Sequence, residues 1–271
     1  MPWVAGHLTG GLGNRLFQHS AATALAAQWK REVVFYLPHC DATNHGPYDS
    51  IFKLFPSVPK ISEGKSEFIS EPPGHVFTYT PFPSSAPSDS NYSVDGWRQS
   101  SRYFPEGIRV DFENALGSST KELLNSYKLE TESQRRNTWF IHMRFGDYMV
   151  LPHHQIDIAA YYSDAVKHIT PGARVIIFSD EATKYKTMIE NFFKALGVEV
   201  EVIENEDELE TLYLMSNCWG GAIIANSTFS WWGAYFARQG SGESYKAVYP
   251  KVWGFGLPKA NDINPSWSIV V

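Results

Sequence analysis

A chain of 271 residues, 43% hydrophobic and 19% charged, has an ordinary globular composition and can bury one large core or two smaller ones. A net charge of −6 without a basic block argues against nucleic acid and anionic lipid as partners, so any phosphate must be held by a few placed groups. Two cysteines outside any metal spacing read as free thiols, and the chain shows neither an apolar run of about 18 residues nor a signal-like start, so a cytoplasmic location is expected.

Residues 3–8 form an extended run broken by Gly10-Gly11-Leu12-Gly13, with Asn14 as the expected helix N-cap. Phe17, Ala21, Ala24 and Leu25 then recur at helical spacing as far as Lys30, and residues 33–37 read as a second strand. This is a βαβ unit with glycines at its first turn. Residues 41–95 are crowded with Pro and Ser and read as irregular loops and short elements, an acceptor-binding region. Helices over 97–136 are expected to complete a first half, with the polar stretch 131–137 as a hinge. The second half alternates strands at 139–143, 174–178, 198–203, 222–225 and 247–249 with helices at 158–169, 182–196, 208–217 and 229–238. Such alternation predicts a parallel, doubly wound sheet. The expected domains are therefore 1–136 and 137–271.

Ligands of such sheets bind beyond the carboxyl ends of the strands. Those ends carry Arg144 to Asp147, Ser179-Asp180 and Asn226 to Ser230. Arg144, a permanent planar cation, suits two phosphate oxygens, and Gly146 lets backbone approach closely; a structural Arg144–Asp147 pair fits the same spacing equally well. Asn226, Ser227, Thr228, Phe229 and Ser230 open a helix whose free N–H groups suit an anion, or whose hydroxyls cap it. Asp180 suits guanine or a ribose hydroxyl, or caps the next helix. The glycines at 10–13 do not meet the dinucleotide pattern, and no Walker lysine follows. The chain has no Asp-x-Asp pair, so the expectation is no metal and no cofactor, with Arg144 and helix-end N–H groups stabilising a diphosphate leaving group.

Four segments, in order, resemble glycosyltransferase family 11, the α-1,2-fucosyltransferases: Gly10 to Gln18, Gly96 to Ser100 with Tyr103-Phe104, His142 to Tyr148, and Leu214 to Ser216 with Ile223 to Gly233. The resemblance implies a GT-B-like α/β fold, two Rossmann-like halves with parallel sheets facing a crevice. It implies GDP-L-fucose as donor, a glycan hydroxyl as acceptor, α-1,2 linkage and inversion at the anomeric carbon. By resemblance Arg144 holds the diphosphate, His142 lies beside the nucleoside, Asp180 reads guanine or ribose, and Ser227, Thr228 and Phe229 cradle phosphates. Gly11, Gly13 and Asn14 face the donor from the other half. Asp147 is the expected base, or the group that orients Arg144. Two departures stand out: Phe145 replaces the second arginine of the family motif, and Trp219-Gly220-Gly221 replaces a basic residue and histidine. They leave open another GDP-6-deoxyhexose such as GDP-D-rhamnose, protein O-fucosylation, a non-catalytic GDP-sugar-binding module, or a phospho-ligand regulator.

Overall fold

The computed structural model describes residues 1–40, 48–204, 207–254 and 262–271. Its contacts divide into two units, Met1–Ala115 with Ala260–Pro265, and Leu116–Lys259 with Ser266–Val271.

In the first unit β1 (Trp3–Gly6) is buried along its whole length, as a strand covered on both faces must be. Gly10, at φ +73, turns the chain into α1 (Leu12–Trp29). The helix begins three residues earlier than expected: Gly11 is its N-cap, and Asn14 lies inside the first turn, where its side chain accepts a hydrogen bond from Gln99 Nε2 at 2.9 Å. Leu12 decides this start, because the helix packs on β1 and buries Leu12, Leu16, Phe17 and Leu25. β2 (Glu32–Tyr36), α2 (Asp49–Leu54), β3 (Lys60–Ile61), β4 (Ser66–Ile69) and β5 (Asn91–Val94) follow. The five strands form one sheet in the order β3-β2-β1-β5-β4, every pairing parallel. The stretch expected to be irregular thus supplies three strands, one of them beside β1. Part of it, 41–47, lies outside the described residues.

α3 (Phe112–Leu116), α4 (Ser119–Ser126) and α5 (Glu132–Arg136) follow, and the division after Ala115 falls earlier than the boundary expected after 136. α4 packs on a helix of the second unit. The stretch read as a hinge is α5, closed by a capping box in which Thr131 accepts from Gln134 N and Gln134 Oε1 accepts from Thr131 N.

The second unit comprises β6 (Thr138–Met143), α6 (Ile158–Ala165), β7 (Arg174–Ser179), α7 (Ala182–Ala195), β8 (Glu201–Val202), α8 (Glu208–Ser216), β9 (Gly221–Ile223), α9 (Thr228–Ser241), β10 (Ala247–Tyr249) and β11 (Ile269–Val270). Its sheet runs β11-β10-β9-β6-β7-β8, again wholly parallel. The parallel doubly wound sheet expected here is the one observed, though the strand expected over 198–203 shortens to the two residues of β8 at the sheet edge. Trp139, Ile141, Val175, Ile177, Phe193 and Ile223 are the centre of its core. Both cysteines are free thiols. Among the described residues no helix is long and apolar enough to cross a membrane.

Candidate active site

The register of the second sheet assembles the site. Met143 pairs with Ser179 and Ile141 with Ile223, so the chain leaves the carboxyl ends of β7, β6 and β9 side by side. One residue further on, Arg144 lies between two carboxylates: its Nη2 meets Asp147 Oδ1 at 2.6 Å and its Nη1 meets Asp180 Oδ2 at 3.2 Å. Asp180 also accepts the backbone N–H of Phe145 at 2.9 Å, so it orients the arginine and pins the turn behind it. Burial works against the guanidinium charge, but Asp180 and then Asp147 outweigh it and hold the group above its ordinary range. The structural pair that the spacing allowed therefore exists, and it presents Arg144, 30% exposed, as a permanently charged fork at a strand end.

Gly146 is required by this packing. Its φ is +25, and a Cβ there would lie 2.5 Å from Asp180 Oδ2. The chain then forms a 3-10 helix over Gly146–Met149 that brings Tyr148 beneath the cation, whose carbon lies 5.4 Å from the ring centroid. Tyr148 stacks on His154 at 4.3 Å with the rings 6° apart. Its hydroxyl donates to Asn226 O at 3.3 Å, and burial pushes the phenol up to about 12, so it stays neutral. Tyr148 and His154 were not picked out from sequence. Tyr148 stood in plain view next to Asp147, whereas His154 sits in a loop without periodicity.

His142 is buried on β6, 4% exposed, and its Nδ1 has no hydrogen-bond partner. Burial, and then the neighbouring Arg144, lowers it to about 3, so the ring is neutral at ordinary pH. Its ring lies 6.0 Å from that of Phe229 in the first turn of α9. Ser227 is the N-cap of α9, yet its hydroxyl does not cap the first turn, which leaves that end suited to an outside acceptor. Ser230 Oγ donates to Ser227 O at 3.3 Å. Thr228 is the first residue of α9. Asn226 is committed elsewhere: its amide donates to His154 O and to Trp253 O, both at 2.8 Å, and ties three loops together. Ser179 accepts from Glu181 N at 3.3 Å. A cavity of 250 Å³ lies against this cluster, lined by Met143, Arg144, Tyr148, His154, Ile156 and Asn226 among others. In the first unit Gly11 has open space where a Cβ would stand, and Gly13 is buried in α1. Among the described residues no group of three or more His, Cys, Asp or Glu is placed to hold a metal ion.

A strand-end arginine beside a helix N-terminus, in an α/β chain of parallel sheets, is the layout of a nucleotide-sugar glycosyltransferase. Residues 67–248 match the model of glycosyl transferase family 11, and the chain belongs to that family. The α-1,2-colitosyltransferase of Escherichia coli is 26% identical over 298 aligned positions, which span 98% of this chain and 97% of that protein. The O-antigen biosynthesis glycosyltransferase WbnK of Escherichia coli is 34% identical over 142 positions, 49% of this chain and 45% of the length of WbnK. Among solved structures, POFUT1 in complex with GDP aligns with a TM-score of 0.53 at 14% identity, covering 90% of this chain and 96% of that one. The NodZ α-1,6-fucosyltransferase from Bradyrhizobium, co-crystallised with GDP, aligns at 0.50 and 17%, covering 86% and 91%. These likenesses show the fold, the GT-B-like α/β class expected from the sequence.

Proposed function

We propose that this glycosyltransferase moves L-fucose from GDP-L-fucose to a glycan hydroxyl, in α-1,2 linkage and with inversion, without a metal ion. The observation that carries this reading is Arg144, a charged fork held between Asp147 and Asp180 at the carboxyl end of β6. In the proposed reaction the acceptor oxygen displaces the diphosphate in one step. Arg144 and the first-turn N–H groups of α9 take up the charge that develops on the departing phosphate. Asp180 supports the guanine or ribose end, with His142 neutral beside it. Gly11, Gly13 and Asn14 are the donor contacts proposed for the first unit. Asp147 is assigned to orienting Arg144, because its carboxylate is already hydrogen-bonded to that cation.

A second donor, a GDP-linked colitose, is favoured by the relative that matches end to end and is named for it. The apolar Phe145 in place of a second arginine also fits a less hydroxylated sugar, as does a GDP-rhamnose. The test is a donor-by-acceptor panel: GDP-L-fucose, GDP-L-colitose and GDP-D-rhamnose against β-galactoside acceptors and peptides, with and without chelator, alongside thermal shifts with GDP, UDP, CDP and ADP. The expected outcome is selective stabilisation by GDP and transfer to a galactoside that survives chelation. Activity that vanishes in chelator and returns with a divalent cation overturns the metal-free mechanism. Binding of GDP without transfer or donor hydrolysis points instead to a non-catalytic module.

A further inference from the structure

The first unit gathers chemistry of its own at the carboxyl ends of β2, β1 and β5. The chain runs from β1 to β2 on one side, while β5 lies on the other side of β1. Crevices form where connections diverge in this way. His39 follows β2, His7 follows β1 and Asp95 follows β5. His7 Nδ1 and Asp95 Oδ1 lie 2.9 Å apart, with 31% and 40% of the two side chains exposed. A carboxylate only accepts, so Nδ1 carries the ring proton and Nε2 presents its lone pair. Among the described residues nothing bonds to that Nε2. The His39 ring lies 5.3 Å from that of His7 and is anchored by Ser93 Oγ at 2.8 Å. From β4, Phe68 comes within 5.7 Å of His7 and is 52% exposed; Trp97, two residues after Asp95, is 38% exposed.

The loop that carries Asp95 is braced from beneath by groups that are costly to bury. Gly96 has φ +100, and the side chain of Glu71 occupies the space where a Cβ would stand. The carboxylate of Glu71 accepts the N–H groups of Trp97 and Arg98 at 3.0 and 3.1 Å. Arg98, only 1% exposed, donates from Nε to Asp95 O at 2.9 Å and from Nη2 to Ile69 O at 2.6 Å. A buried cation and a half-buried carboxylate thus hold the backbone of one short loop, so that Asp95 meets His7 at a set distance.

We infer that His7 and Asp95 are the pair that takes the proton from the acceptor hydroxyl, and that Phe68 and Trp97 border the acceptor subsite of the first unit. The inference rests on the transfer reaction proposed above. In the second unit, Asp147 and Asp180 are both engaged by Arg144, and His142 is buried, so none of them offers a comparable open base. In the step, a lone pair of the acceptor oxygen forms the new bond to the anomeric carbon. The bond from that carbon to the diphosphate oxygen breaks, and its electron pair leaves on GDP. The hydroxyl proton passes to His7 Nε2, the Asp95 carboxylate stabilises the imidazolium, and the proton then goes to solvent. The titratable groups facing His7 are Asp95 after β5 and His39 after β2; β4 contributes the apolar Phe68.

The experiment compares the full-length wild type with His7→Gln and Asp95→Asn, using the galactoside that serves best in the panel above. For His7→Gln, kcat is expected to fall by about 10²–10⁴-fold, with GDP affinity unchanged and the acid-side fall of kcat/KM lost between about pH 5 and 9. Asp95→Asn is expected to lower kcat by about tenfold or more, because the ring loses its orienting partner. A His7→Gln enzyme within about threefold of wild-type kcat, or one that keeps the acid limb, overturns the inference and leaves the proposed function standing. A wild type that transfers no sugar in any combination overturns the function itself. Trp97→Ala, at an exposed site, keeps the test available should His7→Gln fail to fold. The expected result there is a rise of about tenfold in acceptor KM at unchanged GDP affinity, and an unchanged acceptor KM overturns the subsite.

Discussion

Arg144 keeps its charge because two carboxylates offset the cost of its partial burial, and one bond to each leaves further N–H groups of the fork for a ligand. Lysine supplies the charge without the fork. Arg144→Lys is therefore expected to lower transfer by about 10²–10³-fold, and Arg144→Ala at least as much, read as initial rates at unchanged thermal midpoint. A lysine enzyme of near-normal rate removes the geometric part of the argument. Gly146→Ala tests the same cluster from its backbone. The added methyl lies 2.5 Å from Asp180 Oδ2, so the carboxylate must move off Arg144 or the turn must open. The expected cost is about 1–3 kcal/mol in urea denaturation, with weaker GDP binding by titration. An unaltered midpoint and titration show that the turn has room to give.

Loops after β6 and β9 owe their positions to one amide. Asn226 donates to His154 O and Trp253 O while its own carbonyl accepts from Tyr148. Asn226→Ala leaves two carbonyls without their donor and is expected to cost about 1–3 kcal/mol. It should also loosen the Tyr148–His154 stack, seen as faster hydrogen exchange in the loop around His154; exchange rates equal to wild type count against the latch. Elements differed sharply in how readable they were. β6 and β7 declared themselves as apolar runs because a central parallel strand is buried on both faces. β4, Ser-Glu-Phe-Ile, and β5, Asn-Tyr-Ser-Val, carry polar residues amid Pro and Ser, and only pairing with β1 and with each other makes them strands. α5 was misread as a hinge although Thr131 and Gln134 spell a capping box, a signal available in the sequence.

Each unit buries a neutral histidine, His19 in the first and His142 in the second, and burial lowers both from 6.5 to about 3. The folded chain therefore binds fewer protons than the unfolded chain between those values. The stabilisation from these neutral rings is complete above pH 6.5 and is lost progressively as pH falls toward 3. Urea midpoints are expected to decline steadily below pH 6.5, with proton uptake on unfolding; a flat profile down to pH 4.5 or so refutes the assignment. For the molecule as a whole, the residue order alone settled the α/β class, the parallel second sheet, the family, and Arg144, Asp180 and the start of α9 as strand-end groups. These follow from local periodicity and from motifs that are contiguous in the chain. Tertiary structure decided what contiguity does not encode: the pairing of β5 with β1, the clasp of Asp147 and Asp180 on Arg144, and the approach of His7 to Asp95 across 88 residues of chain. Distances of that kind are set by strand register and loop bracing, and a one-dimensional pattern carries neither.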